Sequence, residues 1–147
     1  MATRYSANRS KALASPAQLV EQGDMGKIKV MYDSFTTVVG QVLAISDIVE
    51  FMEIPAGARI VNFKAVWEDI GATGAGSFGF ASDDDALSPI QTLSTAGQYL
   101  ADSAIATNVG LFAAPLAAAT KLQLKITTAT DGVAATSIKV LVEYAFI

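Results

Sequence analysis

Between Phe51 and Phe63 two apolar runs flank the tripeptide Pro55-Ala56-Gly57, and no other stretch constrains the fold of this chain as strongly. Proline at the second position of a tight turn pre-sets φ. Gly57 suits either the fourth position of a type I turn or the third position of a type II turn, where φ is positive. Either choice reverses the chain, so Asp47 to Ile54 and Arg59 to Glu68 are predicted to form a β-hairpin around Pro55 and Gly57. The same period of two recurs along the sequence. Lys27 to Tyr32 alternates, with Ile28, Val30 and Tyr32 predicted to face inward, and Ser34 to Val39 is predicted to continue or pair with it. Ser77 to Ala81 sets Phe78 and Phe80 on one face with a glycine between them. Lys121 to Ile126 alternates strictly, and Ile138 to Phe146 puts Ile138, Val140, Val142, Tyr144 and Phe146 on one face, with a turn expected at Asp131-Gly132.

About eight short strands, frequent turn signals and no sustained helical period predict an all-β fold, a single-domain β-sandwich or jelly roll. Residues 26–147 are assigned to that domain, including a loop over Asp83 to Pro89 and a mixed region from Ile90 to Ala119. Residues 1–25, small and polar with one helical turn at Ala17 to Gln22, read as an extended N-terminal arm. Trp67, Phe78 and Phe80 are the candidate core or interface aromatics.

Composition narrows the function. The chain contains neither cysteine nor histidine. The first absence removes disulfides, thiolate metal sites and cysteine nucleophiles; the second removes the commonest general base and every Ser-His arrangement. Glycines 71, 74 and 76 lack the Lys-Ser/Thr ending of a phosphate loop and precede a strand pattern, so they read as a flexible turn. No Ser-x-x-Lys motif supplies an alternative base. Asp83, Asp84 and Asp85, with Glu68, Asp69 and Asp102 as candidate neighbours, form the strongest chemical constellation. Adjacent carboxylates are hard oxygen ligands for Ca²⁺, but the alternating ligands and closing glutamate of an EF-hand are missing, and an acidic loop is more often simply solvated. The expectation is a protein that is not an enzyme and needs no cofactor.

Charged residues make up 16% of the chain and apolar residues 52%, against roughly 25% charged in an average soluble domain. The longest weakly charged stretch, residues 103–120, is interrupted by Asn108 and Pro115, so it does not provide the ~20 apolar residues of a membrane helix. A large interface with other chains explains the missing surface charge better. Arg4, Arg9 and Lys11 fall within the first twenty residues, which hold no acid, whereas the remainder carries seven basic and fourteen acidic residues. A basic arm therefore precedes an acidic body, a balance that disfavours nucleic acid as a partner. Residues 1–10 lack an apolar signal-peptide segment, so the chain is expected to stay in the cytoplasm where it is made and to assemble there.

The wording Ile54-Pro55-Ala56-Gly57-Ala58-Arg59-Ile60 follows a strand that opens at Ser46-Asp47 and precedes a long strand ending in Glu68 and Asp69. With Ser94-Thr95-Ala96-Gly97 and the closing Val140 to Tyr144 strand, it resembles small decoration, or cement, proteins on the heads of tailed bacteriophages. The resemblance covers the chain loosely from Gly26 onward. It implies a virion structural protein on the capsid exterior, a homotrimer whose partner is the major capsid protein. On that reading Arg4, Tyr5, Arg9 and Lys11 of the arm are the candidate capsid contacts. Two other classes fit the residues: a carbohydrate-binding β-sandwich using the aspartate loop, and a tail or neck subunit.

Overall fold

The computed structural model describes residues 27–101, 114–133 and 135–146. Among them, eight strands run in the order β1 (Lys29–Thr36), β2 (Ile48–Ile54), β3 (Ala58–Trp67), β4 (Ala75–Phe80), β5 (Asp83–Thr92), β6 (Gly97–Leu100), β7 (Thr120–Thr128) and β8 (Ser137–Phe146). They form two four-stranded antiparallel sheets, one ordered β1-β8-β3-β6 and the other β2-β7-β4-β5. The nesting explains the topology: β1 pairs with β8, β2 with β7, β3 with β6 and β4 with β5. This is one antiparallel ribbon folded at Ala81-Ser82 and rolled until β8 also meets β3 and β7 also meets β4. It is the jelly-roll arrangement, and the all-β sandwich expected from the sequence is the architecture observed.

The core fills the space between the sheets. Phe63, Ile138, Val140 and Val142 come from the first sheet and Ile54, Phe78, Leu87, Leu122, Leu124 and Ile126 from the second, all essentially inaccessible. The inward faces predicted for β8 and for residues 121–126 match this burial, except that Phe146 ends its row 39% exposed, edge-on to Tyr144 and beneath the Lys29 ammonium; on the other faces Ala145 is buried, and so is Gln123, whose side-chain amide donates to the Phe80 carbonyl at 3.1 Å.

Three local expectations are corrected. Pro55 and Gly57 do make a turn, but β2 and β3 lie in different sheets, so the connection is a corner between layers and not a hairpin. The Ala58 N–H donates to the Pro55 carbonyl at 3.3 Å, so Pro55 opens the turn at its first position and not its second, and Gly57 takes the third with φ +79°. Its own N–H donates to the Leu116 carbonyl at 2.7 Å, and Leu116 returns a bond to Ala58 at 2.9 Å. Turn chemistry dictates reversal of direction; the pairing of each strand depends on distant partners. Second, the inward phase of β1 is opposite to that expected. Ile28, Val30 and Tyr32 are exposed, whereas Met31 and Phe35 pack against the core. A buried exchange of hydrogen bonds between Thr37 and Thr136 sits just past the strand's end, and the apolar character of both faces left the phase open to sequence reasoning. Third, Asp83 to Asp85 are not in a loop: they open β5, an edge strand that tolerates Pro89 because one side of its backbone needs no partner.

Candidate interaction surfaces

The candidate aromatics are positioned by β3 and β4 and point into the sandwich. Phe78 is fully buried, with its ring centroid 5.4 Å from that of Phe63 and 6.4 Å from that of Trp67. Phe80 is buried at the end of β4. The buried Trp67 donates its indole N–H to the carbonyls of Thr92 (3.1 Å) and Thr95 (3.0 Å), and Gly97 lies flat against its ring. Arg4, Tyr5, Arg9, Lys11 and Asp102 lie outside the described residues.

The aspartate cluster is real in space: carboxylate oxygens of Asp83, Asp84 and Asp85 all lie within 4.8 Å of one another. Its chemistry is that of crowded like charges. A hydrogen bond with Asp83, some desolvation and the charges of Asp83 and Asp84 hold the Asp85 carboxyl above its ordinary pKa of 3.8. Asp84 already has a cation, because it forms an ion pair with Lys125 of β7. That pair borders an open surface depression of about 290 Å³ with Ile48, Ala81, Ser82 and Gln123. Glu68 and Asp69 do not join the cluster; the Glu68 carboxylate accepts the Ser137 N–H and the Asp69 carboxylate accepts the Gly71 N–H.

The two sheets differ in charge. Strands of the β2-β7-β4-β5 sheet carry Glu50, Glu53, Asp83, Asp84 and Asp85 against Lys121 and Lys125, and both lysines are paired, the first with Glu50 at 2.7 Å. The Glu50 partnership raises the Lys121 pKa above its usual value. Strands of the β1-β8-β3-β6 sheet carry Lys29, Arg59, Lys64 and Lys139 against only Asp33 and Glu143. Sequence reasoning averaged these into one acidic body, since consecutive strands alternate between sheets in places and chain order hides the segregation.

The outward side of the more basic sheet is also apolar. Registers place Tyr32, Leu141 and Lys64 in one cross-strand row and Ser34, Lys139 and Val66 in the next. Together Tyr32, Lys64, Val66, Lys139, Val140 and Leu141 line a groove of about 270 Å³. Tyr32 is 62% and Val66 47% exposed. A second apolar area caps one end of the sandwich, where Val38, Val39, Val42, Ile45 and Val133 are exposed on connections tied together by hydrogen bonds from Gly40 to Gly132 and between Leu43 and Thr130.

No protein-family model matches this sequence, and no curated protein matches it. Solved structures do. A chain in the cyanophage Pam1 capsid asymmetric unit superposes with a TM-score of 0.69 at 18% identity, over 91% of this chain and 96% of that one. A chain in the capsid of Ralstonia phage GP4 superposes with a TM-score of 0.60 at 17% identity, over 80% and 84% of the respective chains. What they share is the fold. The likeness extends over nearly the whole of the cyanophage chain, so the common unit is the complete sandwich and not one sheet of it.

Proposed function

We propose that this chain is a non-enzymatic structural protein of a tailed-bacteriophage virion, made in the host cytoplasm, that binds the outer surface of the mature capsid and stabilises contacts between major capsid protein subunits. The observation that carries the proposal is the fold shared with a chain of the cyanophage capsid asymmetric unit, which accounts for almost the full length of both chains. The exposed apolar groove and apolar end, on a chain with few charges, support a role in which surface is covered by other proteins. The stabilisation follows from linkage: a protein that binds the assembled lattice more tightly than separate subunits shifts the equilibrium toward the lattice by that difference. Three-fold association would let a homotrimer engage several capsid subunits at once, with the arm of residues 1–25 laying Arg4, Tyr5, Arg9 and Lys11 on the shell.

The test is to add purified chain to capsid shells from which it has been removed. Saturable occupancy of the exterior in cryo-electron microscopy, with shells that withstand a higher temperature before disruption, is expected. Shells that remain bare, or that carry the chain only at a tail vertex, would overturn the reading.

A further inference from the structure

We infer that the outer face of the β1-β8-β3-β6 sheet is the docking surface, and that it takes a protein segment combining carboxylates with an apolar side chain. The inference rests on the capsid-binding reading and names the face and the partner chemistry that the reading leaves open. Its basis is an arrangement of two kinds of group. Tyr32, Val66 and Leu141 supply an apolar floor, and Lys64 and Lys139 stand in the adjoining rows of the same groove. Neither lysine has an ion-pair partner among the described residues, whereas both lysines of the opposite sheet do. The acids nearest in register are engaged elsewhere: Glu143 accepts a hydrogen bond from Asn62, and Glu68, beyond Val66, accepts the Ser137 N–H. An apolar side chain seated on the floor would remove Tyr32, Val66 and Leu141 from water, while carboxylates beside it would meet the unpartnered ammonium groups.

Charge also separates the competing occupants. The first twenty residues of the chain bring three cations and no acid, so they would add like charge beside Lys64 and Lys139. A second copy presenting the same groove would oppose lysine to lysine at the centre of the contact. Duplex DNA would satisfy the lysines but would set phosphates against Tyr32, Val66 and Leu141. An acidic and apolar protein segment satisfies both parts of the groove.

The test uses the full chain, capsid shells from the phage that encodes it, stripped of the chain, and a Lys64→Glu/Lys139→Glu variant. A Lys121→Glu/Lys125→Glu variant makes the same charge change on the opposite sheet, and Tyr32→Ser probes the floor at an exposed position. Circular dichroism confirms that each variant is folded. The expected result is at least a tenfold loss of shell affinity for Lys64→Glu/Lys139→Glu, a smaller loss for Tyr32→Ser and less than a twofold change for the opposite-sheet control. Wild-type affinity in the folded Lys64→Glu/Lys139→Glu variant would overturn the docking face while leaving the capsid reading intact. Failure of the wild-type chain to bind would overturn both. A free wild-type oligomer that this variant dissociates would assign the groove to self-association, and DNA retention lost in the same variant would assign it to nucleic acid; either result refutes the inference.

Discussion

Trp67 and Gly97 are predicted to be energetically inseparable. The indole is buried, donates to the carbonyls of Thr92 at the end of β5 and Thr95 in the β5–β6 connection, and leaves no room above Gly97: a Cβ there would lie 2.9 Å from Cζ2 and 3.1 Å from Cε2. Trp67→Phe removes the N–H bond, about 1 kcal/mol, and leaves part of the ring's volume unfilled, about 1–2 kcal/mol more. For a chain of this size, a loss of ~2–3 kcal/mol lowers Tm by roughly 4–12 °C. Gly97→Ala in the wild-type background forces the ring or the backbone to move and is expected to cost ~1–3 kcal/mol. A phenyl group has no atom at the Cζ2 position, so Gly97→Ala should cost much less once Trp67 is Phe, giving a favourable coupling of ~1–2 kcal/mol in a double-mutant cycle. Urea unfolding followed by circular dichroism reads all four corners. Additive losses within about 0.5 kcal/mol would refute the claim that ring and glycine share one packing constraint.

Gly57→Val should lower stability by ~1–2 kcal/mol through its positive φ alone, because the added Cβ would meet Phe146 only at an ordinary 3.8 Å; an unchanged Tm would refute that backbone assignment. Asp85 holds its proton more tightly in the folded protein than its ordinary pKa allows, so the folded state binds more protons across the carboxylate range and stability falls as pH rises through it. Asp85→Asn should therefore raise Tm at about pH 7, with the gain shrinking toward about pH 3, where the wild-type carboxyl is protonated in both states; a pH-independent gain would contradict the crowding of charge. Deletion of residues 1–25 should leave the thermal unfolding transition in place and weaken attachment to shells, whereas loss of the transition would mean that the segment completes the core.

Much of the fold was legible because strand alternation is a local signal. The faces of β8 and of residues 121–126 could be read directly, since charged and polar side chains punctuate their apolar rows. β1 could not be read in the same way, because Val30 and Tyr32 on one face compete with Met31 and Phe35 on the other. Its inward phase depends on tertiary neighbours, β8 above all, and not on the residues of the strand. Pro55 and Gly57 show a related limit: they encode a turn, but membership of β2 and β3 in different sheets depends on partners more than fifty residues away, β7 and β8. The groove escaped sequence reasoning for the same reason, being assembled from β1, β3 and β8. Its available signal was the exposed-face alternation of valine and lysine in Lys64 to Val66, read together with Lys139 and Leu141.

The central claim is tested most directly by the copy number of this chain relative to the major capsid protein in purified virions, measured by quantitative mass spectrometry. A protein that covers the shell by lattice symmetry should be present at roughly one third to one copy per major capsid protein. A handful of copies per particle, or none, would contradict the account.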